Sequence, residues 1–292
     1  MTTPEQLAEQ FETHRAHLRA VAYRMLGSAA EADDAVQESW IRLGRSDVSD
    51  VENLRGWLTT VVARVCLDML RMRTSRREDP LDTHVPDPVI TRADRDPESD
   101  AMLADSVGLA LLIVLETLEP AERLAFVLHD VFGMTFDEIA PIVDRSAVAA
   151  RQLASRARRR VQGGAPSRER DLRKQRQVVE AFVSAVRDGN FEALMAVFAP
   201  DVVLRADGGP LAGASRVVRG ARDVVQQAER FSRIGLTNDL VLVNGSLGFV
   251  TRLPHGRLFS VVGFTFAEGK IVEMNILADP ERLSRLDLSA LA

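Results

Sequence analysis

The chain is poor in the features that mark a secreted or membrane protein. Cys66 is its single cysteine, so no internal disulfide framework exists. No apolar run approaches the roughly 20 residues that a bilayer span needs. The N-terminus, Met1 to Gln10, is polar and lacks the apolar core of a secretory signal. Together these absences predict a reduced, cytoplasmic protein without membrane association. Overall positive charge is lacking too. A formal net charge of −5 and a pI near 5.7 argue against a free-standing DNA binder, which is usually basic. There is no internal repeat, no phosphate-binding loop and no CxxC pair. His14 and His17 lie three apart on a helical pattern with no third ligand nearby, so they read as surface residues. No metal site and no cofactor are expected.

What is present is a chain of 292 residues, 46% hydrophobic and 27% charged, which allows one to three globular domains each with its own core. Charge is segregated along it. Arg71, Arg73, Arg76 and Arg77 form one basic cluster, and Arg151 with Arg156 and Arg158–Arg160 another. Acidic residues gather around Glu31–Glu38. A protein that meets DNA only alongside a larger partner needs no net positive charge.

Three blocks follow from hydrophobic periodicity and breakers. Residues 5–77 read as helices throughout, with Ser28 capping a second helix over Ala30–Leu43 and a third over Leu54–Arg73. Residues 78–100 carry Pro80, Pro86, Pro88 and Pro97 among charges, which predicts an extended, mobile linker. Residues 101–162 are helical again, with Pro120 at a helix first turn and a Thr135/Glu138 capping box. Residues 171–292 change character. Two helices, a strand, a further helix and four strands turned at Asn244-Gly245, His255-Gly256 and Glu268-Gly269 make an α+β domain.

Thr135 to Val161 is the most informative stretch. A helix over Phe136–Val143, a turn at Asp144-Arg145-Ser146 and a helix from Ala147 form a helix-turn-helix. Ala150, Ala154, Ala157 and Val161 make a buried stripe, and Arg151, Gln152, Ser155, Arg156, Arg158 and Arg159 occupy the remaining circumference. Such side chains can reach base edges and phosphates.

Ala32 to Trp40 (Ala-Asp-Asp-Ala-Val-Gln-Glu-Ser-Trp) resembles the most recognisable segment of sigma-70-family proteins. The segment from Leu54-Arg55-Gly56-Trp57-Leu58 through Ala63-Arg64, Asp68 and Arg71 resembles their promoter-melting, −10-reading helix, and Val65 stands where many members have asparagine. Leu118-Glu119-Pro120-Ala121-Glu122-Arg123 resembles the opening of region four. Regions two and four without one and three are the pattern of the extracytoplasmic-function group. The resemblance implies core RNA polymerase and promoter DNA as partners. It implies polymerase contact through Asp34, Gln37 and Glu38, and −10 contact through Trp57, Arg64, Asp68, Arg71 and Arg73. Arg151, Gln152, Ser155 and Arg156 would meet the −35 element.

Residues 171–292 resemble a SnoaL-like domain, a cone-shaped α+β fold with a curved sheet. One extracytoplasmic-function subgroup carries such a tail, which implies regulation of the sigma regions through intramolecular contact. Asp207, Gly208 and Gly209 match the start of its Gly-rich motif, with Pro210 a departure. Asp279, Pro280 and Leu283 lie in a segment resembling its closing motif. His84-Val85-Pro86-Asp87-Pro88 replaces the Trp-Leu-Pro-Glu-Pro of the subgroup's linker. Candidate acids or bases for a cone enzyme are Asp201, Arg205, Asp207 and His255, each with a simpler structural role, so no catalytic residue is assigned. A cone lined by Phe182, Phe198, Phe249, Phe259 and Phe264 could hold an apolar ligand, or these rings could fill the core. Two other readings stay open: a helix-turn-helix regulator that acts without polymerase, and an enzyme tethered to a DNA-binding module.

Overall fold

A computed structural model describes residues 4–46, 51–76, 83–93, 108–164, 169, 171–209, 214–232, 235–288 and 291. The chain divides into two compact units, Met1–Asp79 with Val114–Gly164, and Pro80–Ile113 with Ala165–Ala292. The first is helical; the second holds the sheet.

In the helical unit, α1 (Pro4–Leu26), α2 (Ala29–Gly44) and α3 (Leu54–Arg76) pack around Phe11, Leu18, Tyr23, Met25, Val36, Leu43 and Leu58, all at most 2% exposed. Ser28 caps α2 by accepting from Glu31 N, as its residue type predicts. Between α4 (Leu109–Glu116) and α5 (Pro120–Phe126) the chain turns, and Pro120 occupies the first turn of α5, where its missing N–H leaves no bond unmade. A π turn over Val127–Val131 leads to α6 (Phe136–Val143) and α7 (Ala147–Gly164). The Thr135/Glu138 capping box is formed, and Asp144 takes the left-handed conformation that ends α6. Ala150, Ala154 and Ala157 are fully buried, so their small side chains let α7 lie close on α5.

Helix α5, the π turn and α6 pack on α1 and α3 within this unit. Arg123 is 3% exposed and donates from Nε and Nη2 to Arg24 O, both at 3.3 Å. Burial, partly opposed by Glu116, lowers its pKa to about 10, still far above neutrality. The Arg24 guanidinium sits 5.1 Å from the Phe132 ring centre. His17 meets Phe132 edge-on at 5.4 Å and lies 3.1 Å from Thr59 Oγ1. His17 is therefore not the surface residue that its spacing suggests. Burial first, then the charge of Arg55, pushes its pKa down to about 4, so it stays neutral at physiological pH.

In the second unit α8 (Leu172–Asp188) and α9 (Phe191–Val197) precede β2 (Phe198–Asp207), β3 (Arg216–Arg219), α10 (Ala221–Ser232), β4 (Thr237–Val243), β5 (Ser246–Arg252), β6 (Leu258–Ala267), β7 (Lys270–Leu277) and α11 (Pro280–Ser284). Among the described residues one sheet runs β1-β4-β5-β6-β7-β2-β3, where β1 is Ile90–Arg92. The pairs from β4 to β7 are antiparallel, and β2 runs parallel to β7. Alternation gives the sheet two apolar faces. One packs with Phe182, Val224 and Phe249 under the helices; the other packs Val241, Val250 and Val261 against Val85, Ile90, Leu109 and Ile113.

That second cluster corrects the expectation of a mobile linker over 78–100. Residues 83–93 are laid on the sheet, and β1 pairs antiparallel with β4 in the register Ile90↔Val243, Thr91↔Leu242, Arg92↔Val241. The prolines exclude a helix, as expected, but an extended segment with alternating apolar residues is also what a sheet edge accepts. The folded boundary falls inside α4, whereas prolines and charge placed it near residue 100. Strands β1 and β3 and helix α11 were not foreseen, since each is short.

Gly248 has no room for a side chain: a Cβ there would meet Val262 O and lie 2.7 Å from Val243 Cγ2. Gly248→Val is expected to cost about 1–3 kcal/mol through overpacking. It should lower the thermal midpoint of the full chain followed by circular dichroism at a β-sheet wavelength, and an unchanged midpoint would contradict the close approach.

Candidate functional site

Helix α2 presents the first candidate surface. Asp34 and Gln37 are exposed while Ala32, Ala35, Val36, Ser39 and Leu43 on the same helix are buried. Glu38 is half-exposed and accepts from Arg42 Nε at 2.9 Å, one turn on. Ile41, 39% exposed, continues the Asp34–Gln37 stripe at helical spacing. Sequence reasoning passed over Ile41 because a hydrophobic residue on a helix is assigned inward by default; its position seven after Asp34 was the available signal.

Helix α3 separates the five residues expected at the −10 element. Arg64, Asp68 and Arg71 are exposed, and Trp57 is half-buried. Arg73 does something else: it donates to Leu26 O at 3.3 Å and forms a short ion pair with Glu31, tying α3 to the α1–α2 junction. Arg64 Nη2 donates to Pro141 O of α6 at 3.2 Å, within the same helical unit. Val65 is 5% exposed, so its side chain is part of the core.

On α7, Arg151, Gln152 and Ser155 are exposed on the outer face, opposite the alanine stripe. The Arg151 guanidinium lies 5.3 Å from the Phe136 ring centre, which orients it across the turn. Val148, 66% exposed in the first turn, joins this face and escaped notice as a lone apolar residue. Arg156 differs from its companions. Its Nε lies 2.8 Å from Glu122 Oε1, while Arg160 Nη1 donates to Glu122 Oε2 at 2.9 Å. Glu122 has a side-chain exposure of only 6%, so this three-membered ion cluster fastens α7 to α5. Arg158 is likewise held by Asp130 at 2.6 Å.

The tail motifs converge on the linker. Asp207, at the end of β2, is 6% exposed. Its Oδ2 accepts from Val85 N at 3.0 Å and from Arg282 Nη1 at 2.6 Å, and lies 3.3 Å from His84 Nδ1. Arg282 also donates from Nη2 to Val85 O and to Asp87 Oδ1, both at 2.5 Å, and from Nε to Asp87 Oδ1 at 2.8 Å. Gly208 N donates to Ser215 Oγ at 3.1 Å. Gly209 has φ +79°, and a Cβ there would lie 2.7 Å from the Asp279 carboxylate, so both conformation and space call for glycine. Asp279 caps α11 by accepting from Glu281 N, with Pro280 in the first turn. That helix presents Leu283 to the Val85–Ile90 cluster and Arg282 to the linker. One strand further, Asn244 accepts from Val89 N at 3.1 Å through Oδ1 and donates its own N–H to Val89 O at 2.8 Å.

Burial alone would raise the Asp207 pKa. The hydrogen bonds from His84 and Val85 N, with the Arg282 charge, outweigh it and hold the carboxyl at about 2.

The other carboxylates and bases considered for chemistry are scattered. Asp201 and His255 are exposed. Arg205 lies on the sheet face away from Leu204 and Ala206, paired with Glu273 at 3.2 Å and donating to Asn275 at 3.4 Å. Cys66 is buried, which pushes its thiol pKa up and keeps it protonated. Among the described residues no His, Cys, Asp and Glu side chains group as a metal site, and no helix is long and apolar enough to cross a membrane.

Comparison with known proteins meets this geometry at each part. Sigma-70 region 2 matches residues 10–76, sigma-70 region 4 matches 109–161 and a SnoaL-like domain matches 179–274. The chain is 38% identical over 291 residues to the ECF RNA polymerase sigma factor SigJ of Mycobacterium tuberculosis, covering 94% of this chain and 92% of the relative. It is 34% identical to a probable ECF RNA polymerase sigma factor, SigI, of the same species, covering 98% of each. The crystal structure of M. tuberculosis SigJ superposes with a TM-score of 0.75 at 34% identity, covering 96% of this chain and 99% of that one.

Arg282→Ala removes one partner of a buried pair and is expected to weaken the hold on the linker by about 3 kcal/mol or more. Amide exchange at Val85 and Val89 should then accelerate at least tenfold, while exchange in β6 and β7 is unchanged. Acid acts in the same sense. Because folding depresses the Asp207 pKa, its contribution is fully present above about pH 4. It is lost as the pH falls through about 2, which peptide-level exchange across that range should resolve.

Proposed function

The chain belongs to the extracytoplasmic-function sigma factors of the sigma-70 family, and from that membership we propose how its two units divide the work. It acts as a dissociable subunit of RNA polymerase, binding the core enzyme and directing initiation at specific promoters. The exposed stripe of Asp34, Gln37 and Ile41, flanked by Glu38, docks on core polymerase. Acceptors arranged around one apolar contact suit a basic surface with a small hydrophobic recess. Arg64, Asp68, Arg71 and Trp57 meet the −10 element. Arg73 holds the helix that carries them.

On the −35 side, Arg151, Gln152 and Ser155 face the bases and Val148 reaches a thymine methyl from the first turn of the recognition helix. Arg156 secures α7 through Glu122 and sets its angle to the groove. The observation that carries this reading is the outer face of α7. Its apolar side is sealed by alanines and its root is pinned by ion pairs, leaving a rigid row of uncovered donors.

The tail regulates by holding the linker. While residues 90–92 are paired with β4 and Val85 and Asp87 are gripped by Arg282, the linker is not free to run extended between the two promoter-binding regions. In the helical unit Arg64 is engaged by Pro141 O, so the −10 face is partly committed before DNA arrives. Binding polymerase requires both holds to open, a shift between compact and extended populations. The tail itself is a regulator and not a catalyst. Among the described residues lining its cavity the one carboxylate is Asp188, which is exposed, so no buried acid or base faces a bound molecule.

Run-off transcription with bacterial core polymerase on a pool of genomic fragments tests the reading. Asp34→Arg is expected to weaken core binding on the order of tenfold or more, lowering all transcripts alike. Arg151→Ala should cost about 1–3 kcal/mol at its own base position and alter promoter choice while core binding stays intact. Arg282→Ala should raise transcript yield above that of the unaltered chain. No transcripts from the unaltered chain, with polymerase active alongside a control sigma factor, would return the case to a regulator that binds DNA alone.

A further inference from the structure

Among the described residues of the linker clamp, His84 is the group whose ordinary titration range lies near neutral pH. Its Nδ1 stands 3.3 Å from Asp207 Oδ2 and 3.4 Å from Arg282 Nη1, so one ring nitrogen sits between an acceptor and a donor. The His84 side chain is 30% exposed against 8% for Asp207, which leaves the ring open to solvent protons while the carboxylate it faces is covered. The charged groups of the clamp are Asp207 at the end of β2, Arg282 of α11 and Asp87 of the linker itself. The other carboxylates of that helix turn elsewhere: Asp279 caps α11, and Glu281 pairs with Arg285 in solvent.

The protonation state of the ring decides what it does there. With its proton on Nε2, the neutral ring sets the Nδ1 lone pair against the Asp207 carboxylate. It can then only accept from Arg282, whose donors already serve Asp207, Asp87 and Val85 O. A neutral ring with its proton on Nδ1 donates to Asp207, but without the charge that roughly doubles the strength of such a bond. The imidazolium makes that charge-assisted bond, and Asp207 stays ionised throughout the neutral range to receive it. The nearby guanidinium opposes the added cation. Its charge is already offset by Asp87 as well as Asp207, so one guanidinium faces two carboxylates and an imidazolium balances the set. A tryptophan, which has no charge to gain, fills this position in the subgroup's linker.

We propose that His84 is a pH-sensitive latch: protonated, it fastens residues 83–93 to the tail, and neutral, it loosens them. Docking favours the cation. This part of the hold is therefore fully present below the ordinary imidazole value of about 6.5 and is lost as the pH rises through the higher value of the docked ring. Its consequence for transcription rests on the reading that the tail regulates by holding the linker; the latch itself does not.

Amide exchange in the full chain, with intrinsic rates divided out at each pH, measures the latch directly. Protection at Val85 and Val89 should fall about tenfold between about pH 6 and pH 8.5, the factor that one pKa unit of differential interaction gives. Protection in β6 and β7 should hold. His84→Gln keeps a hydrogen-bonding side chain that does not titrate, and its protection should be flat over the same range. Equal slopes in the two chains, or no slope in the unaltered one, overturn the proposal. Should His84→Gln lose the linker at every pH, the ring itself decides. Its NMR titration midpoint, assigned as the signal missing from His84→Gln, should lie above that of a free peptide of residues 83–93, and an equal or lower midpoint overturns the latch. Run-off transcription separates the two readings: a pH slope in exchange, with no matching difference in transcript yield between the chains, upholds the latch and removes the linker hold from regulation.

Discussion

The second unit is organised around one guanidinium. Arg282 stands where the end of β2, the start of α11 and the linker meet, and its guanidinium makes four hydrogen bonds to Asp207, Asp87 and the Val85 carbonyl. A planar fork of donors can satisfy two carboxylates and a carbonyl at once, which lysine could not do in this geometry. Its charge also lets Asp207 remain ionised although buried, and ionised Asp207 in turn receives Val85 N. Remove the guanidinium and a buried carboxylate is left without its counter-charge. The linker then keeps the Asp207–Val85, Asn244–Val89 and β1–β4 hydrogen bonds to set the register of its apolar contacts.

The helical unit uses the same device in another place. Glu122, nearly buried, takes Arg156 and Arg160 from successive turns of α7, while its neighbour Arg123 turns inward to the Arg24 carbonyl. Two adjacent residues thus fix the recognition helix on one side and the junction with α1 on the other. Buried charges of this kind contribute little net stability but specify one arrangement over its alternatives.

Much of the organisation could be read directly from the residues. Ser28, Pro120, the Thr135/Glu138 box and the alanine stripe of α7 act within a few residues of one another, and local hydrogen bonding and steric fit decide their outcome. The four strands of the meander follow from alternation and their turn residues. The surface residues Asp34, Gln37, Arg151 and Gln152 were also legible, because helical spacing separates an outward face from a buried one. The linker was misjudged. Its prolines and charges exclude a helix, but nothing local says whether an extended segment lies free or adds to a sheet edge formed about 150 residues later.

Sequence by itself therefore determined the helices, the helix-turn-helix, the α+β tail and the motif residues, since these depend on contacts between near neighbours and on periodicity. Only the tertiary structure decided which charges are free to meet a partner and which are already paired. Arg73, Arg156 and Arg158 look like Arg151 in the chain, yet their carboxylate partners Glu31, Glu122 and Asp130 arrive from other helices. It likewise decided that Asp207 and Asp279 flank a clamp, and that the phenylalanines of the tail both fill a core and wall a cavity. The energy of an ion pair or a void depends on distances across the fold, and spacing along the chain does not contain them.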